Sequence, residues 1–213
     1  MRCDIPAPIA PSRACGTGIV LRMSTLEHLQ TVVSAHPGLL LEDDERETFG
    51  AEIPDLEGVL RDHPDDEEAR VYVAYAHRKL GRFAEAHATI DPALATERSW
   101  RAVTVKASIH RAAGKTDEAV ALFDEASKLD TEDTAALMEG ARTFGEAERF
   151  AEAATWFGRV VERDPDHTDA LLWGEYSAHC ATGDAKHVAR VRAFLEEEPD
   201  DELAERLLGL MEG

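Results

Sequence analysis

The sequence predicts an all-α protein: an α-solenoid of stacked antiparallel helix pairs, with about four repeats. Three observations predict it. The pentapeptide Arg-Phe-Ala-Glu-Ala stands at 82–86 and again at 149–153. Between the two copies Glu118-Ala119 falls in phase, so Ala86, Ala119 and Ala153 are spaced by 33 and then 34 residues. A period of that length marks helix pairs that bury their apolar faces against their neighbours. Finally, aromatic residues make up only 6% of a chain that is 44% hydrophobic. Small side chains in their place let helices approach closely.

Taken in order, residues 1–24 read as a disordered tail. Pro and Gly break up every apolar stretch there, so the segment does not read as a signal peptide. Met23 directly precedes the first helical pattern and is a second candidate start. Residues 25–65 read as an N-terminal helical segment with an acidic loop. Leu26, Leu29, Val32 and Val33 have helical spacing, Pro37-Gly38 stops that helix, and 38–52 is an apolar triplet followed by acidic residues. Pro54 opens the next helix, where its missing N–H costs nothing, and Leu56, Val59 and Leu60 form its stripe. From 66 to 201 helix pairs follow one another, divided by acidic or Pro-containing turns. Pro64 and Pro165 are 101 residues apart, which is three periods. Asp and Thr at these turns suit helix N-caps. Pro92 falls late in one predicted helix. An interior proline costs about 3 kcal/mol, so that helix is expected to kink or stop early. Leu203, Leu207, Leu208 and Leu210 predict a capping helix over 202–213, covering the last repeat as solenoid ends require.

Charge narrows the function. The net charge is −20, which opposes binding to nucleic acid, where clustered cations must displace counterions, and to anionic membranes. No apolar run reaches membrane-spanning length. Cys3, Cys15 and Cys180 have neither metal-ligand nor disulfide-framework spacing, so a cytoplasmic setting is expected. Nine histidines include His77 and His110 at equivalent places in successive repeats, with His87 near. Zinc needs three or four convergent ligands, and no such motif is present. No phosphate loop or nucleophile–base arrangement appears either. The expectation is a protein that is not an enzyme and uses no cofactor or metal.

The in-phase residues resemble the tetratricopeptide repeat, a helix–turn–helix family with a period of about 34 residues. Repeats fall at 67–99, 100–133, 134–167 and 168–201. The family's small eighth position matches Ala74, Ala107 and Ala141, and its small twentieth matches Ala86, Ala119 and Ala153. The large residue four later is Ile90, Phe123 and Phe157, followed by Ala93, Ala126 and Val160. The turn glycine matches Gly81 and Gly114, with Glu148 in its place in the third repeat. The closing proline is Pro165 and Pro199. Departures are concentrated in the fourth repeat, where Glu175 and His187 occupy normally small positions. Its register rests on Pro199 and is open to a slip of one residue. Arg70, Val103, Leu137 and Leu171 replace the family's early tryptophan.

The resemblance implies that the first helix of each pair lines a concave face that binds peptides. That places Tyr72, Tyr75, Arg78 and Lys79 on it from the first repeat, and Arg101, Thr104, Ser108 and Arg111 from the second. Met138 and Arg142 come from the third, and Trp173 and Tyr176 from the fourth. The lining positions hold five Arg or Lys against four Asp or Glu, in a chain of net charge −20. Aromatic residues and Arg dominate binding hot spots, and Arg makes charge-assisted bonds to carboxylates. The expected function is therefore a protein–protein interaction adaptor or scaffold. Its partner would be a protein or peptide with acidic and apolar groups. A competing reading packs these aromatics between helices and pairs the arginines with nearby Glu. The chain contains no Asn, so the Lys–Asn clamp of the family's chaperone-tail binders is absent. The alternative function is a holdase or secretion-type chaperone shielding unfolded clients. A third expectation is that 38–52, itself acidic and apolar, folds back into the groove.

Overall fold

The structure is a computed structural model that describes residues 46, 50, 51 and 53–213. The expected tail, the helix at 25–36 and nearly all of the 38–52 loop, with its fold-back into the groove, lie outside the described residues. Ten helices are seen among the described residues: α1 (Ile53–Asp62), α2 (Glu67–Lys79), α3 (Phe83–Thr96), α4 (Trp100–Ala112) and α5 (Thr116–Leu129) come first. They continue with α6 (Ala135–Glu146), α7 (Phe150–Arg163), α8 (Thr168–Thr182), α9 (Ala185–Glu197) and α10 (Glu202–Glu212). Each helix packs chiefly on its neighbours in sequence, and α2 also meets α4, and α8 meets α10. Contacts restricted in this way define a solenoid, in which each repeat rests on the next.

The first helices of the pairs begin at side-chain caps. Asp66 accepts from the Ala69 N–H at 3.0 Å and Ser99 from Ala102 at 3.1 Å. Asp133 takes the Ala135 N–H at 2.6 Å, while in the fourth repeat His167 Nδ1 accepts from Ala170 at 3.4 Å. Asp201 caps α10 by accepting from Ala204 at 2.8 Å. Each satisfies an N–H that the first helical turn leaves without a partner.

The second helices follow a left-handed residue. Gly81 and Gly114 both have φ of 72°. Glu148 takes the same conformation at φ 57°, and among the described residues no other non-glycine has positive φ. In the fourth repeat the left-handed residue is Gly183, at φ 69°, one position later than the register counted back from Pro199 places it. The slip is confined to the turn, because His187 and Val191 remain buried in phase with the other repeats.

Small residues set the distance within the first three pairs. Ala74, Ala107 and Ala141 on the first helices are 0% exposed, as are Ala86, Ala119 and Ala153 on the second. Phe123, Ile90 and Phe157 fill the layer beyond them. A further small set, Ala69, Ala102, Ala136 and Ala170, is buried near the start of every first helix. Gly140 is a closer approach still: a Cβ there would lie 2.1 Å from Cζ3 of Trp156. The Trp156 indole therefore lies directly on the α6 backbone.

The helix containing Pro92 does not stop early; α3 continues to Thr96. Pro92 and Ala88, whose carbonyl loses its amide partner, are both exposed. Water can serve that carbonyl, and the ring displaces no packed neighbour.

The fourth repeat resolves its two misfits by pairing them. Glu175 and His187 stand where other repeats place two alanines, and His187 Nδ1 lies 2.5 Å from Glu175 Oε2. Arg190 holds the other carboxylate oxygen at 2.8 Å. A buried pair of this kind is costly to break and cheap to replace whole. Glu175→Ala alone is expected to cost about 2 kcal/mol, since it leaves a buried imidazole without its partner. Adding His187→Ala restores the small pair and is expected to recover part of that loss. Urea melts of the two singles and the double test this; additive losses would show that the pair is not coupled.

Between the first two repeats the His87 and His110 rings meet at a tilt of 60°, with centroids 4.9 Å apart. Burial pushes both imidazoles below the ordinary value of 6.5, with Lys106 and Lys115 adding to the effect on each. His77 is lowered for the same first reason, against the pull of Glu57 and Glu85. The unfolded chain therefore takes up protons near 6.5 that the folded chain refuses. Stability is lost as pH falls through that range. Melts between pH 7.5 and 5 are expected to show a smaller loss for His87→Gln/His110→Gln than for the parent; equal losses would remove the pair from the pH response.

Candidate functional site

The helices α2, α4, α6 and α8 supply the positions that sequence reasoning assigned to a binding face. Their side chains divide into three groups. Met138, at 6% exposure, packs in the core with Leu137, Ala141 and Phe157. Arg78 and Lys79 are also buried, at 2% and 1%. The Arg78 guanidinium lies 4.1 Å from the centre of the Tyr75 ring, and Lys79 Nζ lies 5.9 Å from it. Burial pulls Arg78 below the usual arginine range, and Tyr75 and Glu139 oppose that pull. Tyr72 is half-buried.

The second group is an ion-paired strip along α4 and α6. The Arg111 side chain is only 9% exposed, and its guanidinium binds Glu139 and Glu146 at once. Its Nε donates to Glu146 Oε2 at 2.8 Å. Burial would lower the Arg111 pKa, but Glu146 and Glu139 outweigh it and hold the group above the usual range. Arg142 donates to the other oxygen of Glu139 at 3.1 Å. Two arginines and two glutamates thus neutralise one another. Of the five cations counted from the sequence, Arg111 and Arg142 therefore arrive with their own carboxylates.

The third group runs from exposed to half-buried. Arg101 is exposed and lies 5.3 Å from the Trp100 ring, with no ion pair among the described residues. Ser108 donates to the Val105 carbonyl at 2.8 Å. The Thr104 hydroxyl oxygen is buried and has no hydrogen-bond partner among the described residues. Arg142, Trp173 and Tyr176 meet in a cleft of about 490 Å³ between α6, α7 and α8. Trp173 and Tyr176 stand edge to face there, ring centroids 5.7 Å apart. A hydrogen bond to Cys180, with burial, raises the Tyr176 hydroxyl above its ordinary pKa.

Phe150, Phe157 and Glu148 also line this cleft, and sequence reasoning did not assign them to it. Phe157 was legible only as a core position. Phe150 had a signal in the repeated pentapeptide, where it matches Phe83. Glu148 had a clearer one, as the residue that replaces a turn glycine. The cleft's volume lies within the range of ligand sites, and its aromatic walls with a few polar groups are typical of them. Among the described residues no three His, Cys, Asp or Glu are placed to hold a metal ion, and no helix is long and apolar enough to cross a membrane.

Comparison with protein families matches tetratricopeptide repeat models over 53–95, 74–134 and 110–174. Together these span more than half of the chain. Among solved structures, a tetratricopeptide repeat protein from Parabacteroides merdae superposes with a TM-score of 0.64 at 14% identity, covering 88% of this chain and 72% of that one. One from Thermus thermophilus gives 0.61 at 15% identity, covering 88% and 97%. YrrB, described as a TPR protein with an unusual peptide-binding site, gives 0.57 at 16% identity, covering 85% and 89%. No curated protein matches.

The Arg111 fork has a measurable consequence. Arg111→Met keeps the apolar stem, leaves Glu146 without its cation and leaves Glu139 with Arg142 alone. The expected cost is about 1–2 kcal/mol in urea melts at low ionic strength. It should shrink in high salt, which screens the exposed carboxylates. A loss that does not change with salt would show that Arg111 acts by packing alone.

Proposed function

We propose that this chain, which belongs to the tetratricopeptide repeat family, is an adaptor that seats an extended segment of a partner protein along its first-helix face. Stacked helix pairs of this family are protein–protein interaction scaffolds in general, and the proposal names the seat. The observation that carries it is the cleft of about 490 Å³ walled by Phe157, Trp173 and Tyr176. An apolar side chain of the partner fits such walls, and aromatic residues of this kind dominate interface energetics. Arg101 supports an acidic group elsewhere on the same segment, because it is exposed and makes no ion pair among the described residues. Arg142 adds to this at the rim, where it is held only by Glu139 at 3.1 Å. An exposed pair of that type is worth well under about 1 kcal/mol and exchanges readily for a partner's carboxylate.

The test places a photo-crosslinking residue at Tyr176, in the cleft, or at Ala189, which is exposed on α9. Both proteins are irradiated in extract of the source cells. One or a few discrete adducts are expected from position 176 and not from 189. Trp173→Ala and Arg101→Glu should each reduce them. Adducts from 189 alone, or a broad population indifferent to Trp173→Ala, would overturn the cleft reading.

A further inference from the structure

We infer that the cleft selects a partner segment in which a Lys or Arg stands beside the apolar anchor. The inference rests on the peptide-seat reading above and deepens it.

The charges around the cleft point to this. Arg111 and Arg142 are matched by Glu139 and Glu146 through the contacts already described. That leaves Glu148, which lines the same cleft. It is exposed, and its carboxylate makes no hydrogen bond or ion pair among the described residues. The cleft therefore presents one uncompensated negative charge next to its aromatic walls.

The backbone adds a separate reason. Glu148 holds φ at 57°, where the other three turns use Gly81, Gly114 and Gly183. Glycine adopts that conformation without strain and a side chain does not. The other turns show that glycine serves this turn. Among the described residues the Glu148 carboxylate makes no contact that repays this strain, and the residue lines the cleft.

Occupancy then fixes the complement. An apolar side chain seated against Trp173 and Tyr176 displaces water from around Glu148. A carboxylate losing water without a cation is penalised. A partner Lys or Arg removes that penalty through a charge-assisted bond. Its aliphatic stem and charged head also suit the aromatic faces. A carboxylate at this point would be repelled, so an acidic group belongs elsewhere on the segment.

The experiment is selection of phage-displayed random peptides against the whole chain. Selected peptides are then synthesised, each with its Lys or Arg intact or replaced by norleucine, and binding is read by fluorescence anisotropy. Lys or Arg next to an aromatic or branched apolar residue is expected to be enriched. Norleucine should weaken binding about tenfold, the scale of one charge-assisted bond. Glu148→Gln should weaken the parent peptides equally and leave the norleucine versions unchanged. Glu148→Gly should do the same and also raise the melting temperature, because it relieves the turn. Peptides that need Trp173 but show no basic preference, or bind Glu148→Gln unchanged, would overturn this inference and leave the peptide seat standing. Peptides that bind Trp173→Ala undiminished would remove both.

Discussion

The close approach of the two helices in each pair is the constraint on which the rest of the structure depends. Two helices packed through alanine come near enough to bury Ala74 with Ala86, Ala107 with Ala119 and Ala141 with Ala153, all at 0% exposure. That spacing sets how far Ile90, Phe123 and Phe157 reach into the next layer. It also makes the chain stack, because one thin pair cannot bury its own outer apolar face. The opposite faces of the first helices escape the constraint. They carry Arg101, Arg142, Trp173 and Tyr176, residues too large or too polar for the pair interface.

The fourth repeat shows what happens when the constraint is met by other means. Glu175 and His187 are larger than the alanines they replace, and they occupy the interface by bonding across it at 2.5 Å. The turn beside them is also changed, with Gly183 one position late and α8 running to Thr182. The core of that repeat then draws on α10, whose Ala204, Leu207 and Met211 cluster with Leu172 and Val191. The polar interface of that repeat is thus backed by the apolar face of α10.

Most of the fold was legible because the same constraint recurs. A small residue at one position means little; the same position small in three successive units leaves few other architectures. Pro92 misled for the converse reason. Its cost was reckoned for a helix interior in general, whereas here it faces water on an outer helix. The binding face was legible only in part, because periodicity says which face a residue occupies and nothing of what it touches there. Arg142, Trp173 and Tyr176 converge on one cleft. Met138 shares their phase but turns into the core, and Arg78 and Lys79 are buried beside Tyr75. Arg111 shares the phase too, but Glu139 and Glu146 follow 28 and 35 residues later to neutralise it. Counting charges along a face overstates the free charge whenever the next repeat supplies the counterion.

A repeat protein therefore offers two kinds of signal, and they carry different information. Positions that obey the period report what every unit must do to pack. Positions that break it report what one unit does alone. Glu175 and His187 break it together, and the structure joins them, so the deviation is internal and closed. Glu148 breaks it singly. The first two repeats hold glycine at that place and the fourth holds it one position later, the Glu148 carboxylate has no partner among the described residues, and the residue lines the cleft. A deviation that costs backbone strain and finds no compensation among the described residues is the kind that the proposed basic partner accounts for. The same test, applied residue by residue to the out-of-phase positions of a solenoid, separates repairs to the stack from surfaces made for a partner.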